Sequence, residues 1–163
     1  MTDAPLPPPP DPTPPAGPEL AIPPSPIPVL DLVGTLALLV ATLASWAVDD
    51  AATEILLLVV SGTLFVGGCI AFVYGFLVAV GRSRYETIHL AGLFYLTGTA
   101  PTVVRQSLMR LWFLQIGIAI AGLWITSPPW GAMAPLWGIG LLTLWGGRHG
   151  TFAPKPGVTP PAR

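Results

Sequence analysis

The stretch ILLLVVSGTLFVGGCIAFVYGFLVAV, residues 55–80, contains no charged side chain and decides the class of fold. A helix needs roughly 20 predominantly apolar residues to cross the hydrocarbon core of a bilayer. Three further apolar stretches approach that length, at residues 29–48, 107–126 and 130–147. The sequence therefore predicts an all-α membrane protein with four transmembrane helices and an interfacial segment, residues 82–106, between the second and third helices.

The overall composition agrees with a protein that lies in lipid. Of the 163 residues, 52% are hydrophobic and only 9% are charged, whereas soluble domains carry about 25% charged residues. Outside the expected membrane surface there is no basic patch of the kind that binds nucleic acid. We therefore expect membrane lipids, other membrane subunits or further copies of this chain as partners, with no nucleic acid and no cofactor.

The basic residues predict how the chain is oriented. Threading it as four helices places all seven on one side of the membrane, namely Arg82, Arg84, Arg105, Arg110, Arg148, Lys155 and Arg163. The other side carries Asp49, Asp50 and Glu54. Because Lys and Arg are retained in the cytoplasm, we expect a multi-pass protein of the bacterial plasma membrane with both termini cytoplasmic. A fifth crossing within residues 82–106 would move most basic residues outside, so that segment is expected to lie on the membrane or to dip into it.

The two ends of the chain are rich in proline. The run LPPPPDPTPPAGP, near the start of the chain, can form neither a helix nor a strand within a sheet. Residues 1–28 are therefore predicted to be a disordered cytoplasmic arm, and residues 148–163 a disordered cytoplasmic tail. The four-helix domain would then occupy residues 29–147.

Prolines also mark where the later helices are expected to begin. The third helix is predicted to start near Pro101, with Thr99 as its cap, and to reach Ile125. The fourth is predicted to start at Trp130 and to kink at Pro135. The tryptophans suggest two interfacial belts, with Trp46, Trp124 and Trp130 outside, Trp112 and Trp145 inside, and Trp137 deep in the membrane.

Small residues recur on one face of each of the first two helices. Their spacing of three or four residues lets two backbones approach closely in lipid. The residues are Gly34, Ala37 and Ala41 in the first helix and Gly67, Ala71, Gly75 and Ala79 in the second. This pattern favours a tight antiparallel hairpin of these two helices, with a homodimer as the alternative use of the same face.

Polar residues are concentrated at the expected cytoplasmic interface. Gln115 lies within the third apolar stretch, where an amide is expected to bridge two helices by a hydrogen bond. Asp31 lies at the start of the first helix and is expected to pair with an arginine. Residues at a similar depth are Arg82, Arg84, Glu86, His89, Arg105, Arg110, Arg148 and His149. This set could contact anionic lipid headgroups or another membrane subunit, although an ordinary anchoring collar explains it most simply.

The spacing Glu86-Thr-Ile-His89 raises the question of a metal site. Two such motifs with further carboxylates form the metal sites of some helical bundles. This chain has one copy and few other acids. We therefore predict neither metal binding nor catalytic residues, and an ion pair between Arg82 and Glu86 accounts for the glutamate.

The stretches GRSRYETIHLAGLFYLTGTAPTVVR and LWGGRHGTFAPKP resemble a group of small multi-pass membrane proteins of actinobacteria. The resemblance covers roughly residues 55–157. It implies an actinobacterial plasma membrane, and it directs attention to residues 82–101 and 146–152. It implies no activity for any residue.

Three classes of function remain to be compared. Faces suited to close packing, few polar groups and short outer loops favour a non-enzymatic accessory or assembly subunit of a larger plasma-membrane complex. The alternative is a small oligomeric transporter or channel, or a protein that binds anionic lipid. A membrane enzyme that uses His89 or His149 on a lipid-linked substrate is the least favoured class.

Overall fold

A computed structural model describes residues 25–48, 50–126 and 129–158 of the chain. The helices are α1 (Ile27–Ala47), α2 (Ala51–Arg82), α3 (Leu90–Phe94), α4 (Thr102–Ile125) and α5 (Leu136–His149). A 3₁₀ turn, Trp130–Met133, precedes α5, and two short strands are β1 (Glu86–Thr87) and β2 (Ala153–Pro154). Most of the predicted proline-rich arm and the last five residues of the predicted tail lie outside the described residues.

Three of the helices, α1, α2 and α4, are long and apolar enough to cross a membrane. They contain 21, 32 and 24 residues, and a helix rises about 1.5 Å per residue. Their positions agree with the first three predicted spans, and α4 begins and ends close to the predicted Pro101 and Ile125. The chain is thus a helical membrane protein with three helices of spanning length.

The fourth predicted helix differs from the observed one. Instead of one kinked helix from Trp130, the chain forms the 3₁₀ turn and then α5, which has 14 residues. The difference has a local cause, because Pro135 is the cap of α5 and lacks the N–H that would continue a preceding helix. At about 1.5 Å per residue α5 is roughly 21 Å long, shorter than the roughly 30 Å hydrocarbon core.

The helices α2 and α5 lie in close contact. A Cβ atom added at Gly68 of α2 would lie 2.5 Å from the carbonyl oxygen of Leu136, and one at Gly75 would lie 2.6 Å from the Cα of Leu144. The glycines of α5 make the reciprocal contacts. A Cβ atom added at Gly140 would collide with the carbonyl oxygen of Gly68, and one at Gly147 would collide with that of Gly75. Backbone meets backbone on both helices, which only glycine permits.

α1 and α2 do pack against each other, as the predicted hairpin requires, but the small-residue face of α2 has a different partner from the one predicted. The small face of α2 is used within the chain, but its glycines meet α5 and not α1. On α1, Gly34 approaches Trp137 and Leu64, while Ala37 is exposed. Gly67 also lies against the Trp137 ring, so an indole fills the space where a second glycine face was expected.

The remaining predicted packing residues of α1 and α2 are buried, and two of them lie in apolar clusters. Ala41 lies in a cluster with Leu38 and Leu57, and Ala71 lies in one with Leu142 and Trp145. Ala79 is also buried.

Two of the tryptophans predicted at the interfaces differ strongly in exposure. Trp145 is only 1% exposed, so its ring packs inside the protein, and its predicted depth in the membrane stays a prediction. It faces inward because α5 is surrounded by the other helices. Trp124 is 86% exposed at the end of α4.

The C-terminal region also departs from its prediction. Residues 148–158 were expected to be disordered, yet Ala153–Pro154 pairs antiparallel with Glu86–Thr87. The backbone N–H of Lys155 donates to the carbonyl of Tyr85 at 2.9 Å. The tail therefore folds back onto the segment that follows α2.

The α2–α5 contact predicts a large difference between two glycines on one helix. Gly75→Ala should lower the free energy of unfolding by about 1–3 kcal/mol, because the added methyl group must push two backbones apart. Gly62→Ala is the matched control, since a Cβ there meets nothing within 4 Å. Unfolding of both variants in mixed detergent micelles, followed by circular dichroism, measures the difference. Equal stability of the two variants would contradict the packing described here.

Candidate functional site

A buried polar cluster joins α1, α4 and α5. Gln115 of α4 donates from Nε2 to Asp31 Oδ1 and to Thr35 Oγ1, each at 2.8 Å. Its Oε1 accepts from the backbone N–H of Gly138 at 3.1 Å. Asp31 is 0% exposed and Gln115 is 1% exposed. We call these residues, Asp31, Thr35, Gln115 and Gly138, the polar node.

The bond to Gly138 supplies a missing helix cap. The first N–H groups of a helix have no partner within the helix, and Pro135 makes no side-chain cap to α5. Gly138 is the third residue of α5, and the Gln115 amide satisfies its N–H from another helix. The prediction that Gln115 bridges helices by a hydrogen bond agrees with this geometry, which reaches three helices instead of two.

The polar node corrects the expected partner of Asp31. Among the described residues Asp31 makes no ion pair, and its partner is the Gln115 amide. Its Oδ2 is buried without a hydrogen bond. The reason lies in helix phase: Asp31 shares the inward face of α1 with Gly34 and Thr35, whereas Arg105 and Arg110 are exposed on α4.

A second set of contacts closes the end of the molecule where α2 and α5 finish. Arg82 donates from Nη1 to the Gly147 carbonyl at 2.8 Å and from Nη2 to the Gly150 carbonyl at 2.7 Å. Nη2 also lies 2.7 Å from Glu86 Oε2. The guanidinium carbon lies 5.3 Å from the centre of the Phe152 ring. Arg82 therefore fastens the C-terminal end of α5 to α2.

The position of Arg82 suits the C-terminal end of α5, where backbone carbonyls need hydrogen-bond donors. The last carbonyls of a helix have no partner within it, and a cation stabilises that end of the helix dipole. The planar guanidinium can satisfy two carbonyls and one carboxylate together. The predicted Arg82–Glu86 ion pair is present, but it crosses a turn, because α2 ends at Arg82.

The segments that follow α2 and α5 pack against each other beyond Arg82. The backbone N–H of Thr151 donates to the Thr99 carbonyl at 3.0 Å. Thr99 in turn donates from its hydroxyl to the Gly92 carbonyl at 2.7 Å, so it does not cap α4 as predicted. A Cβ at Gly146 would lie 2.5 Å from the Leu93 carbonyl oxygen. We call the folded residues 82–101 and 146–155 the cap.

The cap brings together two segments that are far apart in the chain, residues 82–101 and 146–155. Within the cap, Arg82 and Glu86 are engaged with each other. His89 is exposed and precedes α3, while Glu86 lies in β1, so the two do not share a helical face as a metal motif would require. Among the described residues no three His, Cys, Asp or Glu side chains come together to hold a metal ion.

His149 belongs to the structural part of the cap. It lies at the end of α5, outside the three long helices, with its ring 5.4 Å from that of Trp145. Burial lowers the pKa of His149 from its ordinary value, and the nearby charges of Arg148 and Arg82 lower it further. The imidazole is therefore held neutral at neutral pH.

Five basic residues at this end of the molecule remain exposed. They are Arg84, Arg105, Arg110, Arg148 and Lys155. The acidic residues near them are committed elsewhere, since Glu86 binds Arg82 and Asp31 is buried in the polar node. At the opposite end Asp50 is exposed. The predicted contact set thus divides into residues that hold the fold and residues that present positive charge.

Sequence reasoning did not find the glycines of α5 or the capping role of Arg82. Gly138, Gly140, Gly146 and Gly147 are all buried in contact with other elements. The density of glycine in LWGIGLLTLWGG was the available signal, because glycine weakens a helix unless a close neighbour needs the space. No protein family, curated protein or solved structure matches this chain.

The polar node predicts that Gln115 is needed for stability. Gln115→Leu removes the donor to Asp31 and the acceptor for Gly138, and an unsatisfied buried polar group costs about 1–3 kcal/mol. We expect a loss of at least this size in the free energy of unfolding. Gln106→Leu on the same helix is the control, because Gln106 is exposed. Thermal unfolding in detergent measures both, and a loss no larger for Gln115→Leu would contradict the assignment.

Proposed function

We propose that this chain is a non-enzymatic accessory or assembly subunit of a larger complex in a bacterial plasma membrane. The observation that carries the proposal is the cap, in which exposed basic side chains project from a folded backbone. Its basic residues are presented while the neighbouring acids are engaged. Such a surface suits a partner with acidic residues close to the membrane.

The packing of the helices favours an assembly subunit over a transporter or channel. Gly68 and Gly75 bring α2 into backbone contact with α5 along its length. Apolar side chains of α1, α2 and α4 face outward, where lipid or another subunit can contact them. The polar node is buried and its Gln115 amide is fully used.

The orientation and the number of crossings form part of the same proposal. The 3₁₀ turn and α5 have a combined rise of roughly 29 Å, which supports a fourth crossing over Trp130–Gly147. The positive charge of the cap supports a cytoplasmic location for this end, and hence for both termini. The resemblance noted above suggests that the membrane is that of an actinobacterium.

Cysteine labelling tests the orientation. In a Cys69→Ala background, Ala52→Cys and Thr126→Cys should react with an impermeant maleimide on intact cells, because both precede or follow a crossing on the outer side. Ser83→Cys and Lys155→Cys should react only after the membrane is permeabilised. Thr126→Cys that reacts only after permeabilisation would remove the proposed third and fourth crossings.

Co-purification tests the assignment as a subunit. The tagged protein, extracted from native membranes in mild detergent, should carry a stoichiometric membrane partner identifiable by mass spectrometry. The triple variant Arg84→Gln, Arg148→Gln and Lys155→Gln should lose most of that partner, because it removes exposed charge without touching Arg82. The variant Asp50→Asn, at the opposite end, should retain it. A wild-type protein that purifies without a stoichiometric partner would overturn the proposal.

A further inference from the structure

A groove with a volume of about 550 Å³ lies between the beginnings of α1 and α4. Pro28, Val29 and Leu32 of α1 form one apolar wall. Val103 and Leu111 contribute apolar surface from α4. Val29, Leu32 and Val103 are all exposed, so the groove is continuous with the exposed apolar surface of α1 and α4.

The polar lining of the groove comes from one face of α4. Gln106, Ser107 and Arg110 lie in it, at spacings that place them within one turn of each other. Among the described residues Arg110 makes no ion pair, and its exposed guanidinium has five N–H donors in a geometry that matches phosphate. Within the described part of the chain, no acidic side chain lines the groove. The site is thus positive at one end and apolar along its length.

The polar node sets the depth at which the groove ends. One turn beyond Leu111, Gln115 binds Asp31 and holds α4 against α1. Thirteen residues of α4 precede that bond but only four of α1. At about 1.5 Å per residue, α4 therefore extends roughly 13 Å further than α1 toward the basic end. Arg110 lies close to the level at which α1 begins, where the apolar wall gives way to charged residues.

We propose that this groove binds one anionic phospholipid. Its phosphate would lie on the Arg110 guanidinium, with the Ser107 hydroxyl and the Gln106 amide as further donors, and an acyl chain would follow Val29 and Leu32. The choice of lipid rests on charge complementarity and on position, because the groove opens between two helices of membrane-spanning length where they become polar. This inference concerns α1 and α4 and is independent of the partner proposed for the cap.

The test measures lipid retention by the full-length protein. Purified protein in a neutral detergent is titrated with phosphatidylglycerol, and separately with phosphatidylcholine, and bound lipid is counted by native mass spectrometry. We expect one tightly held phosphatidylglycerol. Arg110→Gln should weaken it by about tenfold or more, the loss of a charge-assisted hydrogen bond. Arg105→Gln is the matched control, because Arg105 is exposed on the same helix but does not line the groove.

Two results would overturn the inference. Equal retention of the two lipids would show that the phosphate charge is not recognised. Equal losses in Arg110→Gln and Arg105→Gln would indicate a diffuse basic collar. A second groove variant, Val29→Trp, should also reduce lipid retention, because the larger side chain fills the apolar part of the groove. Thermal unfolding checks that each variant is folded.

Discussion

The close approach of the α2 and α5 backbones is the constraint on which the other contacts of this protein depend. Lipid tails are as apolar as leucine side chains, so helices in a bilayer gain little from burying apolar surface against each other. They are held by dispersion at short range, which requires small residues on both faces. Gly68 and Gly75 meet Gly140 and Gly147 in this way, and α5 becomes the centre around which the longer helices pack.

A short helix at the centre of the molecule creates a second requirement, which concerns its ends. Both ends carry backbone groups without partners, and leaving them unsatisfied away from water is unfavourable. The structure meets this need with side chains from other helices. Gln115 satisfies Gly138 at the start of α5, and Arg82 satisfies Gly147 and Gly150 at its end. If either contact is lost, the backbone groups at that end of α5 have no partner within the helix to replace it.

The sequence predicts some of this architecture and leaves the rest open for physical reasons. Long apolar runs report helices directly, so α1, α2 and α4 lie close to the predicted residues. Small-residue stripes, in contrast, say that a helix has a close neighbour but not which one, and the stripe of α2 met α5 and not α1. The contacts of Gln115 with Asp31 and of Arg82 with Gly150 join residues 84 and 68 positions apart. No local pattern could have paired them.

The same reasoning explains why a collar of charges was predicted where the structure has two kinds of residue. Sequence composition does not distinguish Arg82 from Arg84. In the structure Arg82 is hydrogen-bonded to the backbone of α5, whereas Arg84 is exposed. The distinction matters for binding, because ordering flexible side chains and loops at an interface is a large part of the free energy that association must overcome. Here β1 and β2 already hold the backbone beside Arg84 and Lys155. A partner that contacts this surface would therefore have to order only the exposed side chains and not the segments that carry them.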